Sequence, residues 1–390
     1  MHILKLPTGA WLAGLFLVVA CGAAQAEPIT PSRDDEVIEV LPALSGNRSD
    51  ERRARKELAA RPTDPALAVG VAKRYLDQAH DLGDPRFAGL AMAAIAGWTD
   101  EATMPADVLL MRATLLQYLH EFDASARSLE RLLARPALQP QPQAWLTLAT
   151  VRRVQGRYAD SDAACRQVER SGAALHAAAC LAENIALRGD AATARGMLRN
   201  LVATPALPVA TQTWLLTTIA ELEQREGRAA AADAAYRSVL RLEPDSYAVI
   251  AYADFLIEEG RPREALDLLK DQKRTDAVVL RLAIAGTKAA VPAAARDVVE
   301  MRERITLANE RPEARKFHGR EQAMFALFVE RQPALAMELA RGNVEQQREP
   351  LDLLVLAQAA RASGSAEALA EARQLRDRVG LRDRRIDALL

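Results

Sequence analysis

The residues of this chain that could do chemistry are scattered. Its five histidines, His2, His80, His120, His176 and His318, stand far apart, and no two are four residues from one another. A zinc site of the structural or hydrolytic kind needs such a pair, or a Cys-x-x-Cys clip, to seat two ligands together. Neither is present, so no metal and no cofactor are expected. A Gly-x-Ser-x-Gly elbow, a phosphate-cradling glycine loop and a dinucleotide fingerprint are missing as well, which argues against the hydrolase and nucleotide-dependent classes that rely on them. Acidic residues are plentiful but sit among arginines at helical spacing, as in Glu258, Glu259 and Arg263, or Glu371, Arg373 and Asp377. That pattern reads as solvated faces with weak i,i+4 pairing. The enzyme class that could use such carboxylates sets two of them across a cleft and stacks sugars on aromatic rings. Aromatic residues make up 4% of the sequence, too few for such platforms. A cell-wall glycan-acting enzyme, with Glu183 and Glu221 as its carboxylates, or an accessory superhelical domain of one, is therefore kept as the alternative to a chain that is no enzyme.

Charge narrows the partner. With 51 Lys plus Arg against 52 Asp plus Glu in 390 residues and a net charge of −1, the chain has no electrostatic footprint for a phosphate backbone. The beginning of the sequence points to export. Met1 to Ala26 carries Lys5, an apolar stretch from Trp11 to Ala20 and small residues up to Ala24-Gln25-Ala26, the layout of a signal peptide cleaved after Ala26. The apolar stretch is about half of the roughly twenty residues that a membrane span needs, so no transmembrane span is expected in the mature form. The destination is periplasmic. A second reading takes Val18-Val19-Ala20-Cys21 as a lipoprotein motif, with Cys21 lipidated and the protein held at the membrane by a lipid anchor. Residues 27–50, with Pro28, Pro31, Pro42 and Gly46, read as a flexible lead-in.

The elements that would position any site are helices. Alanine fills about a fifth of the sequence and strand formers are sparse, a composition suited to stacked helices. A unit recurs: Trp145, Leu148, Ala149, Gly156, Tyr158, Ser161 and Cys165 in one copy correspond to Leu216, Ala220, Gly227, Ala232, Tyr236 and Pro244 in another. Gly156, Gly189, Gly227 and Gly260 follow one another at 33, 38 and 33 residues, the long step being explained by the Pro205 to Pro208 connection. Seven positions before each glycine, and before Gly364, stands Ala149, Ala182, Ala220, Ala253 or Ala357; five positions after come Ser161, Ala194, Ala232, Ala265 and, out of pattern, Leu369. Small side chains at both places let two helix axes approach. This spacing and these residues resemble the tetratricopeptide repeat (TPR).

The resemblance implies an all-α, right-handed superhelical solenoid of about seven or eight antiparallel helical hairpins. It is closest over 107–270. His120 takes the glycine's place in one copy. Residues 51–106 form one or more N-terminal helical pairs, and 271–390 hold degenerate repeats and a capping helix over Leu381 to Leu390. In the degenerate part, Val279, Leu282, Ala283, Ala295 and Val299 make one hairpin, and Leu327, Pro333 and Ala336 another with Met324 at the small position. TPR proteins bind peptides or protein segments on a concave face lined by first helices. The register places Gln117, Thr150, Arg153, His176, Glu183, Trp214, Glu221, Gln224, Tyr247 and Asp254 there, with Trp214 as the leading contact if it does not instead fill the core. Cys165 and Cys180 fall on helices that a solenoid packs side by side, so they form either one disulfide or two buried thiols. The expected function is a non-catalytic adaptor of the bacterial cell envelope that holds a protein or peptide partner, with self-association as a further possibility.

Overall fold

A computed structural model describes residues 48–135, 141–310 and 319–390. The signal peptide, the lipidation of Cys21 and nearly all of the lead-in expected above lie outside the described residues. The chain divides into two compact units, Met1–Glu51 and Arg52–Leu390, and the following concerns the second.

Every described element is a helix. After α1 (Arg48–Ala60) the chain runs through nine hairpins: α2 (Pro65–Leu82) with α3 (Arg86–Ala94), α4 (Ala106–Tyr118) with α5 (Phe122–Leu133), α6 (Pro142–Val154) with α7 (Tyr158–Arg170), α8 (Ala174–Leu187) with α9 (Ala191–Val202), α10 (Val209–Arg225) with α11 (Ala229–Leu240), α12 (Ser246–Glu258) with α13 (Pro262–Leu269), α14 (Asp276–Lys288) with α15 (Ala294–Asn309), α16 (Gly319–Phe328) with α17 (Pro333–Gln346), and α18 (Pro350–Ser363) with α19 (Ala366–Val379). The short α20 (Arg384–Asp387) follows. The two helices of each hairpin pack on one another, and most hairpins pack on the next, which is the arrangement of a TPR-like solenoid, with one or two hairpins more than the sequence suggested. Helix starts are set locally. Asp64, Asp245, Thr275 and Ser365 accept a hydrogen bond from the backbone N–H three residues on, satisfying a donor that the first turn leaves unpaired.

One backbone feature recurs in all nine hairpins. The turn between first and second helix contains a residue of positive φ: Gly83, His120, Gly156, Gly189, Gly227, Gly260, Ala290, Arg331 and Gly364. The left-handed conformation ends the first helix and turns the chain back on itself. Three hairpins make that turn without glycine, so the degenerate copies keep the geometry while losing its sequence mark. The small positions behave as the register demands, since Ala149, Ala182, Ala220, Ala253, Ala357, Ser161, Ala194, Ala232 and Ala265 are all buried. Two expectations need correction. In α15 the buried residues are Ala294 and Met301, while Ala295 and Val299 face outward; Gly286 lies so close to Ala294 that a Cβ there would come within 2.6 Å of the alanine's own. In α19 it is Ala368, not Leu369, that is buried at the crossing.

The α7–α8 packing brings the Cα atoms of Cys165 and Cys180 to 5.8 Å, and the two cysteines form a disulfide. Both are fully buried.

The stack also returns onto itself. The Arg348 N–H donates to the Val154 carbonyl at 2.6 Å, and its guanidinium to the Gln155 carbonyl, 193 residues away in sequence, at 3.0 Å. The Arg382 N–H donates to the Leu187 carbonyl at 2.9 Å, and a Cβ on Gly83 would meet Thr275 at 2.7 Å. Late repeats thus cover the turn ends of early ones, and α18 to α20 lie against α6, α8 and α12. The segment Leu381–Leu390, expected as a capping helix, packs against Tyr158, Leu187 and α18.

Candidate functional site

The first helices of successive hairpins look into a common interior, and their polar residues join one repeat to the next. Arg153 of α6 forms an ion pair with Glu183 of α8. The same carboxylate accepts from Trp214 Nε1 at 3.0 Å and Thr218 Oγ1 at 3.2 Å, both on α10. His176 is exposed and stacks on the Trp214 indole with centroids 6.1 Å apart. Glu221 of α10 accepts from the Tyr247 hydroxyl of α12. Gln224 donates to Glu258 at 2.7 Å and accepts from the buried Tyr236 hydroxyl at 3.0 Å. Asp254 of α12 takes both ends of the Arg281 guanidinium of α14, at 2.9 and 2.8 Å, a planar bidentate pair around a buried arginine.

These contacts place most of the residues expected on the concave face. Arg153, Glu183, Trp214, Glu221, Gln224, Tyr247 and Asp254 form inter-repeat links, and His176 joins them through its ring. Trp214 is half-buried, between the exposed and core positions considered for it. Thr150 bonds back to the Leu146 carbonyl within α6, and Gln117 is half-buried on α4. The carboxylates are not equivalent. Glu183 is shared among three donors on α6 and α10, whereas burial pushes the Glu221 carboxyl above the usual range against the pull of Arg225 and Tyr247.

Beyond this ladder the interior opens into a pocket of about 300 Å³. Its walls are apolar: Ile257 of α12, Ile284 of α14, Met324 and Phe328 of α16, Leu351, Leu354 and Val355 of α18, and Leu389. Polar groups at its edge are Asp254, Glu258, Glu259, Lys288, Gln358 and Arg385, with the Lys288 ammonium 5.3 Å from the centroid of the Phe328 ring. Concave apolar walls with a few polar groups that fix orientation are the usual constitution of a binding site. The wall joins four successive hairpins with the segment after α19.

Sequence reasoning found this segment as a capping helix but missed its partners in the interior. Glu258, expected on a solvated face with Glu259 and Arg263, instead meets Arg385 at 2.9 Å. Desolvation raises its carboxyl, with Arg385 opposing that shift. Glu371 likewise meets Arg341 of α17, and Asp377 meets the adjacent Arg376. The available signal was the spacing of Asp254 and Glu258, one turn apart on the same face of α12, which continues the line of inner-face residues. Among the described residues no cluster of three or more His, Cys, Asp or Glu side chains is arranged to hold a metal ion, and no helix is long and apolar enough to cross a membrane.

No protein-family model matches the sequence, and no curated protein matches it either. Among solved structures, the TPR domain of P58(IPK) is similar over 85% of this chain and 94% of that one, at 15% identity and a TM-score of 0.21. A likeness of that size leaves the TPR-like assignment resting on the hairpin register and pairing described above.

Proposed function

We propose that this chain is a non-catalytic scaffold of the bacterial cell envelope, exported to the periplasm, which holds a protein or peptide partner in the interior of its helical array. The observation that carries this reading is the pocket of about 300 Å³, with apolar walls from four first helices and unlike charges at its edge. Solenoids of stacked hairpins present extended concave surfaces of this kind, and a rigid array gives up little conformational freedom on binding. The buried Cys165–Cys180 disulfide suits an oxidising compartment, in agreement with the export signal read in Met1 to Ala26.

The test is site-specific photocrosslinking from position 288 in intact cells. Lys288 is exposed at the pocket edge, and a probe there should trap a discrete envelope protein. Changing the pocket edge by Gln358→Arg should abolish the adduct. Arg153 and Trp214 are poor controls because they link repeats. If no protein adduct forms and the purified chain cleaves isolated peptidoglycan, losing activity in Glu221→Gln, the glycan-acting alternative replaces the scaffold.

A further inference from the structure

The segment Leu381–Leu390 behaves less like a repeat than like a peptide laid into a groove. Its helix, α20, has four residues, yet Leu381 and Ile386 are fully buried. What buries them is the interior itself: Tyr158 and Leu187 from the third and fourth hairpins, with Leu353, Leu354 and Ala357 of α18. The backbone N–H of Arg382 caps the end of α8 through the Leu187 carbonyl at 2.9 Å. The Arg385 guanidinium reaches the Glu258 carboxylate, 127 residues upstream, at 2.9 and 3.3 Å, while Asp383 orients it at 3.0 and 2.6 Å. The groove is shaped for this occupant. A Cβ on Gly189 would come within 2.8 Å of the Arg382 side chain. One backbone hydrogen bond, one charge pair and one apolar anchor are the elements by which grooves recognise linear segments.

We propose that the surface formed by Tyr158, Leu187, Leu354 and Glu258 is a recognition site for a segment presenting an arginine followed by an aliphatic residue, and that a partner protein carrying such a segment binds there by displacing Leu381–Leu390. The inference rests on the scaffold reading and gives its partner a chemistry. Glu258 selects the cation, and the cluster around Ile386 selects the apolar neighbour. The pocket beside Leu389 leaves room for the displacing segment to extend. Because the site is filled in the free chain, an incoming segment binds only in proportion to the fraction of molecules whose own segment has lifted.

The experiment uses the full chain and a fluorescent peptide of residues 380–390, followed by anisotropy. The parent chain should bind the peptide weakly. Arg385→Glu with Ile386→Asp in the chain frees the groove and should tighten binding at least tenfold, while a peptide carrying the same two changes should not bind. A charge reversal separates recognition from misfolding: Glu258→Arg in a chain opened instead by Arg385→Ala with Ile386→Asp should lose the parent peptide and gain one with Arg385→Glu. Failure of the opened chain to bind the parent peptide, or equal binding of the altered peptide, would overturn the proposal. So would a concentration-dependent dimer of the parent chain that the peptide dissolves, since the occupant would then be a second copy. A discrete crosslinked partner at position 288 alongside a peptide that never binds would leave the scaffold standing and remove this inference.

Discussion

The hairpins from α4 to α13 and those from α14 to α19 solve one packing problem with different residues. In the first set, each crossing of a first helix with its partner is made by Ala or Ser on both sides, from Ala113 and Ser125 to Ala253 and Ala265, all fully buried. In the second, Met324 occupies one such position, the contact in α15 shifts to Ala294, and that in α19 shifts to Ala368. Both sets keep the positive-φ turn. The turn is thus the invariant of this solenoid, and the residues that make each crossing are what vary. Two residues of the second set, Met324 and Ile284, form part of the pocket wall.

The sharpest way to break this comparison is to exchange the residues. Ala220→Leu adds volume at a closed crossing and should destabilise by about 1–3 kcal/mol. Met324→Ala removes a buried side chain from a crossing of the second set and should cost about 2–5 kcal/mol. Both are read as shifts of the urea midpoint. A neutral Met324→Ala would mean that the second set tolerates small crossings and that its different residues carry no packing role.

The next largest effect concerns the disulfide, which lies within the regular set. It joins α7 to α8 across 15 residues, and closing a loop of that length contributes about 3 kcal/mol by the chain-entropy model. Denaturation with and without reductant should show a loss of that order in the parent chain and none in Cys165→Ala with Cys180→Ala. The second set has no such link among the described residues, so its peptides should show unchanged hydrogen exchange in reductant while those of α7 and α8 exchange faster.

Much of the fold could be read because the repeat is a local property. An alanine seven places before a glycine reports a contact within one hairpin, and that contact forms wherever the hairpin sits. The return of the stack was not legible, since it depends on the summed rotation of more than five repeats. No local spacing announces that Arg348 will meet Val154 or that Arg385 will meet Glu258. The same limit applies to the site. Inner-face residues were found from register, but whether they face solvent, a neighbouring repeat or the chain's own later segment depends on where the superhelix closes. Ala290 and Arg331 hid the turn for a simpler reason. Positive φ is a cost that sequence reading assigns to glycine, and packing imposes it here on residues that disfavour it.

That cost gives a smaller and opposed pair of effects. Gly189→Ala introduces a Cβ at φ +97°, against the Arg382 side chain at 2.8 Å, and should destabilise by about 1–2 kcal/mol. Arg331→Gly relieves an L-residue held at φ +56° and should stabilise by at most about 1 kcal/mol, because the greater freedom of glycine in the unfolded chain offsets part of the gain. Thermal melts of the two variants should move in opposite directions.

The smallest effect distinguishes the two regions by pH. At the entry to the regular set, just before α4, burial raises the Glu101 carboxyl, but hydrogen bonds from Ser128, Arg112 and Arg131 of α4 and α5 more than offset this and hold it below the usual range. It binds protons less readily folded than unfolded, so its contribution is present above the ordinary carboxyl range and is lost as pH falls. At the start of α18, burial raises Asp352 from its usual 3.8 to about 6 against the pull of Arg320. The folded state there binds the proton more tightly, so the contribution of Asp352 is full below its unfolded pKa and is lost as pH rises toward 6. The two slopes oppose each other across the acid range. Glu101→Gln should flatten the loss of stability on acidification, and Asp352→Asn should flatten the loss between about pH 4 and 6. Because Asp352 accepts from Asn343 and the Glu349 N–H, while Arg320 lies 3.4 Å away, it holds the turn from which Arg348 reaches Val154. Its titration should therefore appear first as faster exchange of the Arg348 amide, whereas that of Glu101 should appear at α4 and α5.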